Sequence, residues 1–592
     1  MTRFTLFVVF CLIVIAPGES RSQDKKADLK FQSYVFEGGG QKVDAELGRL
    51  TVPENRKNPN SKLIELAFIR FKSTATNPGP PIVYLAGGPG GSGIGAARGT
   101  RFPLFMAMRE IGDVIAFDQR ATGMSRPSVE CTESLGYPLD KPADPDVLIR
   151  LYQERARQCV ATLKEKGIDV SGYNTNESAD DLEDLRKALG VEKISLWGIS
   201  YGTHLALATI RRHEKSVHRV ILAGIEGPAH TWKLPSNIQE NLEKISQLVA
   251  ADPQLNVKIP NLIQSMKTVL DGLEKQPVVV NVVDPRTQQT VGITVGRFDL
   301  QQATAQVIGN SEVAGIPALY YALSKGNHDH ILVRRLAQAM GRVRQGPIGS
   351  VMPAAMDCAS GAEPDRLRRI EREAKITLLG SAIDFPFPGV CAGLGNLDLG
   401  SGFRAPLRTK VPALFISGTL DARTPVSNAE EVRKGFTTST HLIIDGAVHS
   451  DPLFLSSPKI KDVMLEFMKG APVSTTRVAA TPLRFNPIVD AQQVRSGIEH
   501  WNGTLEIGEQ KFRLILRVDR SRSEGPVAEL VSLDQSNSVV PLDNIQYDGS
   551  KVRFEIGLIG ARYEGEINGN RSEITGQWTQ GGVSRALTFK RS

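Results

Sequence analysis

The chain has little cysteine, no marked excess of charge and no long apolar segment beyond its first residues. Five cysteines stand among 592 residues, no two of them form a C-x-x-C pair, and the one close histidine pair, His328 and His330, lacks a partner cluster. No metal site is therefore expected. After residue 16 nothing is apolar enough to span a membrane. Lys and Arg number 71 against 64 Asp and Glu, and the formal +7 is spread along the chain, which gives no footprint for a nucleic-acid partner. Basic runs such as Arg334-Arg335 and Arg366-Leu367-Arg368-Arg369 read as solvated helix faces. Internal repeats and long low-complexity tracts are also missing. What remains is a chain with 41% hydrophobic residues, long enough for two or three domains and a large core.

Against these absences stands Gly198-Ile199-Ser200-Tyr201-Gly202, a G-x-S-x-G motif between an apolar run, Ile194 to Trp197, and a Leu- and Ala-rich run, Thr203 to Ile210. Strand, tight turn and helix in that order make the nucleophile elbow of an α/β-hydrolase, with Ser200 as nucleophile. A serine hydroxyl needs a histidine to take its proton and an acid to orient that histidine, and in this fold they follow the serine in the order acid, histidine. Val411 to Ser417 is an apolar strand leading into Gly418-Thr419-Leu420-Asp421, and Leu442 to Gly446 is a second strand leading to His449. Asp421 and His449 are thus the expected partners.

The oxyanion of an acyl-transfer intermediate needs backbone N–H donors near the serine. Pro81 to Leu85 reads as a strand running into Ala86-Gly87-Gly88-Pro89-Gly90-Gly91-Ser92-Gly93, and the N–H groups of Gly88 and of Tyr201 are assigned to that role. The loop lacks the Lys-Ser/Thr ending of a phosphate cradle. Glu226, just beyond the strand Val217 to Ala223, competes with Asp421 for the histidine; as the lesser acid candidate it is assigned instead to the cleft, where a carboxylate would hold a substrate amine. No cofactor is expected.

Taken together, Gly87-Gly88-Pro89-Gly90, Asp118-Gln119-Arg120-Ala121-Thr122-Gly123-Met124-Ser125, the elbow, Asp421 with Thr424-Pro425, and His449 resemble the prolyl aminopeptidase and tripeptidyl aminopeptidase family of α/β-hydrolases over about residues 45 to 470. Ala86 stands where the prolyl enzymes carry histidine, which moves the match toward the secreted tripeptidyl branch. Ala121 stands where most members have glycine. The resemblance implies cleavage of peptides from a free N-terminus; the motifs by themselves show only acyl transfer to serine.

Met1-Thr2-Arg3 followed by the apolar stretch Phe4 to Ala16 and small residues to Ser22 reads as a signal peptide, so an exported protein, periplasmic or secreted, is expected. Its removal leaves Cys131, Cys159, Cys358 and Cys391, an even number for which three pairings are open. Closeness along the chain and the resemblance to the secreted branch favour Cys131 with Cys159 and Cys358 with Cys391.

Residues 30–228 alternate strand and helix as the first part of an α/β-hydrolase core, including a helix Asp180 to Leu189 with Ser178 as N-cap. Residues 229–405 turn mainly helical, as in Asn237 to Ala251 and Asn261 to Glu274, and read as a cap inserted over the serine. The core resumes over 406–470, a Pro/Thr/Ala-rich stretch at 471–487 reads as a linker, and 488–592 alternates apolar and polar residues as an antiparallel β-domain, barrel or sandwich, with Trp501 and Trp578 in its core. Through Tyr563-Glu564-Gly565 and Ile574-Thr575-Gly576-Gln577-Trp578, that last part resembles the β-module found beside other exported serine hydrolases. The reading is a serine hydrolase acting as an aminopeptidase on short peptides; a carboxylesterase taking small acyl esters is the alternative, and a silent hydrolase fold that binds peptide or polymer is a second one. Oligomeric state is not legible.

Overall fold

The computed structural model describes residues 28–591 except 284–288, 489–497, 508–509, 521–525, 535–537, 543, 557–559 and 581. The expected signal peptide lies outside the described residues.

A ten-stranded sheet forms the frame: β1 (Asp28–Gly38), β2 (Gln41–Pro53), β3 (Leu63–Phe71), β4 (Ile82–Leu85), β5 (Val114–Phe117), β6 (Ile194–Ser200), β7 (Val217–Ile225), β8 (Ala413–Gly418), β9 (Ser439–Asp445) and β10 (Arg477–Ala479). Its order is β1-β2-β3-β5-β4-β6-β7-β8-β9-β10. The first three strands and the β3–β5 pair run antiparallel, and from β5 onward every neighbour is parallel. Strands β4 to β8 are near-continuous apolar runs because helices cover both faces. Alternate side chains feed two separate cores: Val83, Leu85 and Leu196 face one, Ile82, Tyr84 and Trp197 the other. Parallel strands put their carboxyl ends on one edge, and the loops at that edge hold the Gly-rich loop, Ser200, Glu226, Asp421 and His449.

The helix preceding β6 runs Thr175–Ala188, not from Asp180. Asn174 caps it by accepting the Glu177 N–H at 3.0 Å, and Ser178 sits buried inside the first turn. Asn is as good an N-cap as Ser, and the earlier of the two took the position. Cap helices at Pro235–Ala251 and Leu262–Lys275 lie close to their expected bounds. The cap stretch also contains an antiparallel hairpin, Val278–Val283 with Thr290–Val295. It has its own apolar core, which includes Leu242, Met266, Leu300, Ile308 and Tyr320. The stretch 471–487 carries β10, which lengthens the sheet beside β9, and then Leu483 and Phe485 pack against the cap core.

Beyond it, the described residues form nine antiparallel strands in one sheet, with Trp501, Phe554, Tyr563, Trp578 and Phe589 in its core. Cys131 is bonded to Cys159 and Cys358 to Cys391. Among the described residues no helix is long and apolar enough to cross a membrane.

Candidate active site

Ser200 ends β6 with φ +54° and ψ −125°, and the next helix, Tyr201–His213, begins at once. A side-chain-bearing residue at positive φ is strained and persists only where its surroundings hold it, which marks functional turns. The elbow glycines have a steric cause. A Cβ on Gly198 would lie 2.6 Å from the Gly202 carbonyl oxygen, and one on Gly202 would lie 2.0 Å from that of Leu85. The Ser200 carbonyl accepts the Thr203 hydroxyl at 2.6 Å, which fixes the first helical turn.

Asp421 lies three residues past the end of β8, in a turn that its own side chain holds together. Its Oδ1 accepts the N–H groups of Arg423 and Thr424, each at 2.9 Å. Its Oδ2 accepts the Thr424 hydroxyl at 2.7 Å and stands 2.7 Å from His449 Nδ1. Both residues are buried, His449 at 8% exposure and Asp421 at 2%. A carboxylate at Nδ1 holds the proton there and leaves Nε2 as the basic nitrogen. The edge of the imidazole abuts β7: a Cβ on Gly224 would lie 2.9 Å from His449 Cε1, and Ile225 of the same strand pairs with Ser200. His449 thus contacts Asp421 and Thr424, and among the described residues no hydrogen bond joins the Ser200 hydroxyl to it.

The Gly-rich loop passes directly under the serine. A Cβ on Gly87 would lie 2.9 Å from Ser200 Cβ, and the adjoining Gly88 has φ +126°. Tyr201 is the first helical residue, so its N–H sits at the positive end of the helix beside the serine. Its ring is fully buried, with the hydroxyl 3.0 Å from Thr175 Oγ1 and 3.2 Å from Met356 Sδ.

Within the D-Q-R block, Asp118 and Gln119 hold this loop, and Arg120 anchors the block to the neighbouring elements. Asp118 accepts the Ser92 hydroxyl at 2.6 Å and the N–H groups of Ile94 at 3.1 Å and Met124 at 2.8 Å. Burial pushes its carboxyl above the ordinary range, and the Ser92 hydroxyl opposes that. Gln119 donates to the Ala86 carbonyl at 3.2 Å. Arg120, wholly buried, forks onto Asp181 with two bonds of 2.8 Å and donates to the Glu54 carbonyl at 2.6 Å and to that of Gly172. Ala121 keeps the turn but at φ +59°, a conformation that favours glycine and is strained for alanine.

Glu226 is buried at 4% exposure and does not reach His449. Its Oε2 is 2.7 Å from the Lys233 ammonium, which also donates to the Thr231 carbonyl at 2.9 Å. Two further carboxylates, Asp357 and Asp384, gather around this pair. Asp384 Oδ1 accepts the Lys233 backbone N–H at 2.8 Å, while Oδ2 is buried without a partner. Burial pushes the Asp384 carboxyl up to about 7, against the pull of Lys233 and Arg366. Asp357 is driven well above the usual range by burial and then by the Glu226 charge. Asp384 also lines a cavity of about 530 Å³ walled by Trp232, Phe298, Leu367, Ile370 and Phe387. Three carboxylates thus face one ammonium, with the half-buried Arg366 and Arg423 also acting on Asp384, and the basic run around Arg366 is not simply a solvated face. Nothing in the sequence marked Asp357 or Asp384, which lie more than a hundred residues from Glu226 in no motif.

The alpha/beta hydrolase fold family matches residues 80–454. Over 246 residues the chain is 32% identical to the protein named Serine protease Hip1 of Mycobacterium tuberculosis, covering 38% of this chain and 45% of that protein. It is 28% identical over 199 residues to the Tripeptidyl aminopeptidase of Streptomyces coelicolor, covering 31% of this chain and 36% of the enzyme. The matched stretch therefore spans less than half the length of these curated relatives. Among solved structures, a thermophilic esterase from Thermogutta terrifontis aligns at 15% identity and a TM-score of 0.31, covering 71% of this chain and 98% of that one.

Proposed function

The chain belongs to the alpha/beta hydrolase fold family, and on that premise we propose that it is a serine aminopeptidase, releasing short peptides or single residues from free N-termini through an acyl-enzyme. Ser200 Oγ attacks the scissile carbonyl carbon as His449 Nε2 takes the hydroxyl proton, and the carbonyl π electrons move onto oxygen. Asp421 keeps Nδ1 protonated and steadies the imidazolium that forms. The N–H groups of Gly88 and Tyr201 donate to the oxyanion. Collapse breaks the C–N bond, and the imidazolium returns its proton to the leaving amine. Water then repeats the sequence on the ester and frees Ser200.

The observation that carries the reading is the Asp421–His449 contact of 2.7 Å at the strand edge that presents the strained Ser200. A preference for free N-termini draws support from the carboxylates. Because Lys233 occupies Glu226, the amine role assigned to Glu226 passes to Asp384 and Asp357, with Glu226 setting the local negative charge. The apolar cavity beside Asp384 fits an apolar side chain on the same residue. Two disulfides suit an oxidising compartment, and we place the enzyme in the periplasm or outside the cell. A simple acyl ester carries no ammonium for Asp384 and Asp357 to hold, which is why the carboxylesterase alternative ranks second. The test is covalent labelling with a fluorophosphonate. One adduct mapped to Ser200, absent in Ser200→Ala together with all turnover, supports the reading; labelling elsewhere, or turnover by the variant above a tenth of wild type, refutes it.

A further inference from the structure

Gly309 lies in the cap, just past the helix Arg297–Val307, and far in sequence from any catalytic candidate. Its carbonyl oxygen accepts the backbone N–H of His449 at 2.5 Å. Its φ is +79°, and a Cβ there would lie 2.8 Å from the Ala422 nitrogen and 3.1 Å from Ala422 Cβ. One residue therefore touches the histidine loop through its carbonyl and the acid loop through its bare Cα. Arg423, beside the same acid loop, donates from Nη2 to the Gln306 carbonyl at 2.6 Å, a second tie to the end of that helix.

The apolar contacts follow the same pattern. Leu420 and Ala422, on either side of Asp421, and Val448, just before His449, are buried in the cap core with Leu300, Ala305, Ile308 and Val313, not in the two cores flanking the sheet. The chain after the sheet braces this junction from behind. Asn486 N–H donates to the Ala314 carbonyl at 3.0 Å, and Leu483, Phe485 and Ile488 pack against the cap core.

We infer that Gly309 is a positioning residue for the acid–base pair, so that the cap sets the proton relay itself in addition to covering the cleft. This rests on the proposed roles of Asp421 and His449. A lid that only covered the cleft would not need its core to contain the residues flanking both groups. A shift of about 1 Å in a positioned catalytic group costs on the order of a hundredfold in rate.

The test uses the full chain. Gly309→Ala adds a methyl at positive φ against Ala422. It is expected to lower kcat 10- to 100-fold on a free tripeptidyl anilide and on a small acyl ester alike, with KM within about threefold. The downfield proton resonance of His449 Hδ1 should broaden or move upfield, a change that a general loss of stability in a still-folded protein would not produce. Arg423→Ala removes the tie to Gln306 together with a cation that acts on Asp421 and Asp384, so it is read on the small acyl ester, which carries no amine, where a three- to tenfold fall in kcat with the same shift of the His449 resonance is expected. That variant decides the matter if Gly309→Ala does not fold. Folded variants with wild-type kcat and an unmoved resonance, or a rise in KM with kcat kept, would overturn the proposal. A wild-type protein whose Ser200 fails to react with a phosphonate would instead remove the triad reading beneath it.

Discussion

Glu226, buried, and Lys233, half-buried, form an ion pair, Oε2 to Nζ, at 2.7 Å. The pair occupies the carboxylate that the sequence offered to a substrate amine, and it leaves Asp384 with an oxygen to spare. Glu226→Gln should therefore act mainly on stability, by about 1.5–3 kcal/mol, because Lys233 loses its charge-assisted partner while keeping the Thr231 carbonyl. Asp384→Asn should raise KM for free-amine peptides about a hundredfold, the scale of a lost charge-assisted hydrogen bond of about 3 kcal/mol. Denaturant melts and steady-state kinetics on both variants separate the two effects, and an interchange of the two outcomes would return the amine role to Glu226.

The Asp384 carboxyl, held up at about 7, gives a pH dependence with a definite sign. An unfolded aspartate titrates near about 3.9, so from there to about 7 the folded chain keeps a proton that the unfolded chain has released. Stability from this group is present below that window and is lost as pH rises through it. Catalysis runs the other way, since an ammonium binds the ionised form: KM for free-amine substrates should fall as pH rises through 7, and KM for N-acetylated ones should not. Asp384→Asn should flatten both trends in Tm and in KM.

Thr424 donates to the same Asp421 oxygen that faces His449. Asp421→Asn should lose on the order of 10⁴ in kcat, because an amide no longer enforces the tautomer. Thr424→Val should lose about tenfold, the worth of one hydrogen bond to a charged group at about 1.5 kcal/mol. A Thr424→Val loss as large as that of Asp421→Asn would mean that the turn, not the charge, governs the histidine.

Ser200, Asp421 and His449 were legible because each sits just beyond a short apolar strand, where a few contiguous residues carry the whole signal. The parallel sheet was legible for the same reason. The carboxylate cluster was not, since Glu226, Asp357 and Asp384 meet only through the path of the cap. Lys233 stood seven residues from Glu226 in plain view, but a lysine in a loop has no periodicity to set it apart. Gly309 was hidden for a different reason: its role lies in a carbonyl and an absent side chain, and no residue pattern reports either. The Asn174 cap was missed because Ser178, an equally good capping residue, stands nearer the apolar repeat, and the helix begins a turn earlier than that repeat shows.

The two disulfides close loops of 28 and 33 residues. Reduction of either should cost about 3–4 kcal/mol by the chain-entropy argument. Cys358 follows Asp357 directly and Cys391 lies shortly after Asp384, so opening that bond should also raise KM for free-amine peptides, whereas opening Cys131–Cys159 should leave KM unchanged. Cys→Ser pairs at each site, compared by thermal melts and kinetics, give both readings.

The proposed aminopeptidase requires Ser200 as nucleophile and a carboxylate that holds the free amino terminus of the substrate. The most direct measurement compares kcat/KM for one tripeptidyl anilide and for the same compound acetylated at its N-terminus. At least a hundredfold preference for the free amine is expected, the scale of about 3 kcal/mol of charge-assisted bonding. Equal rates for the two, or small acyl esters preferred to both by orders of magnitude, would contradict it and leave the carboxylesterase in its place.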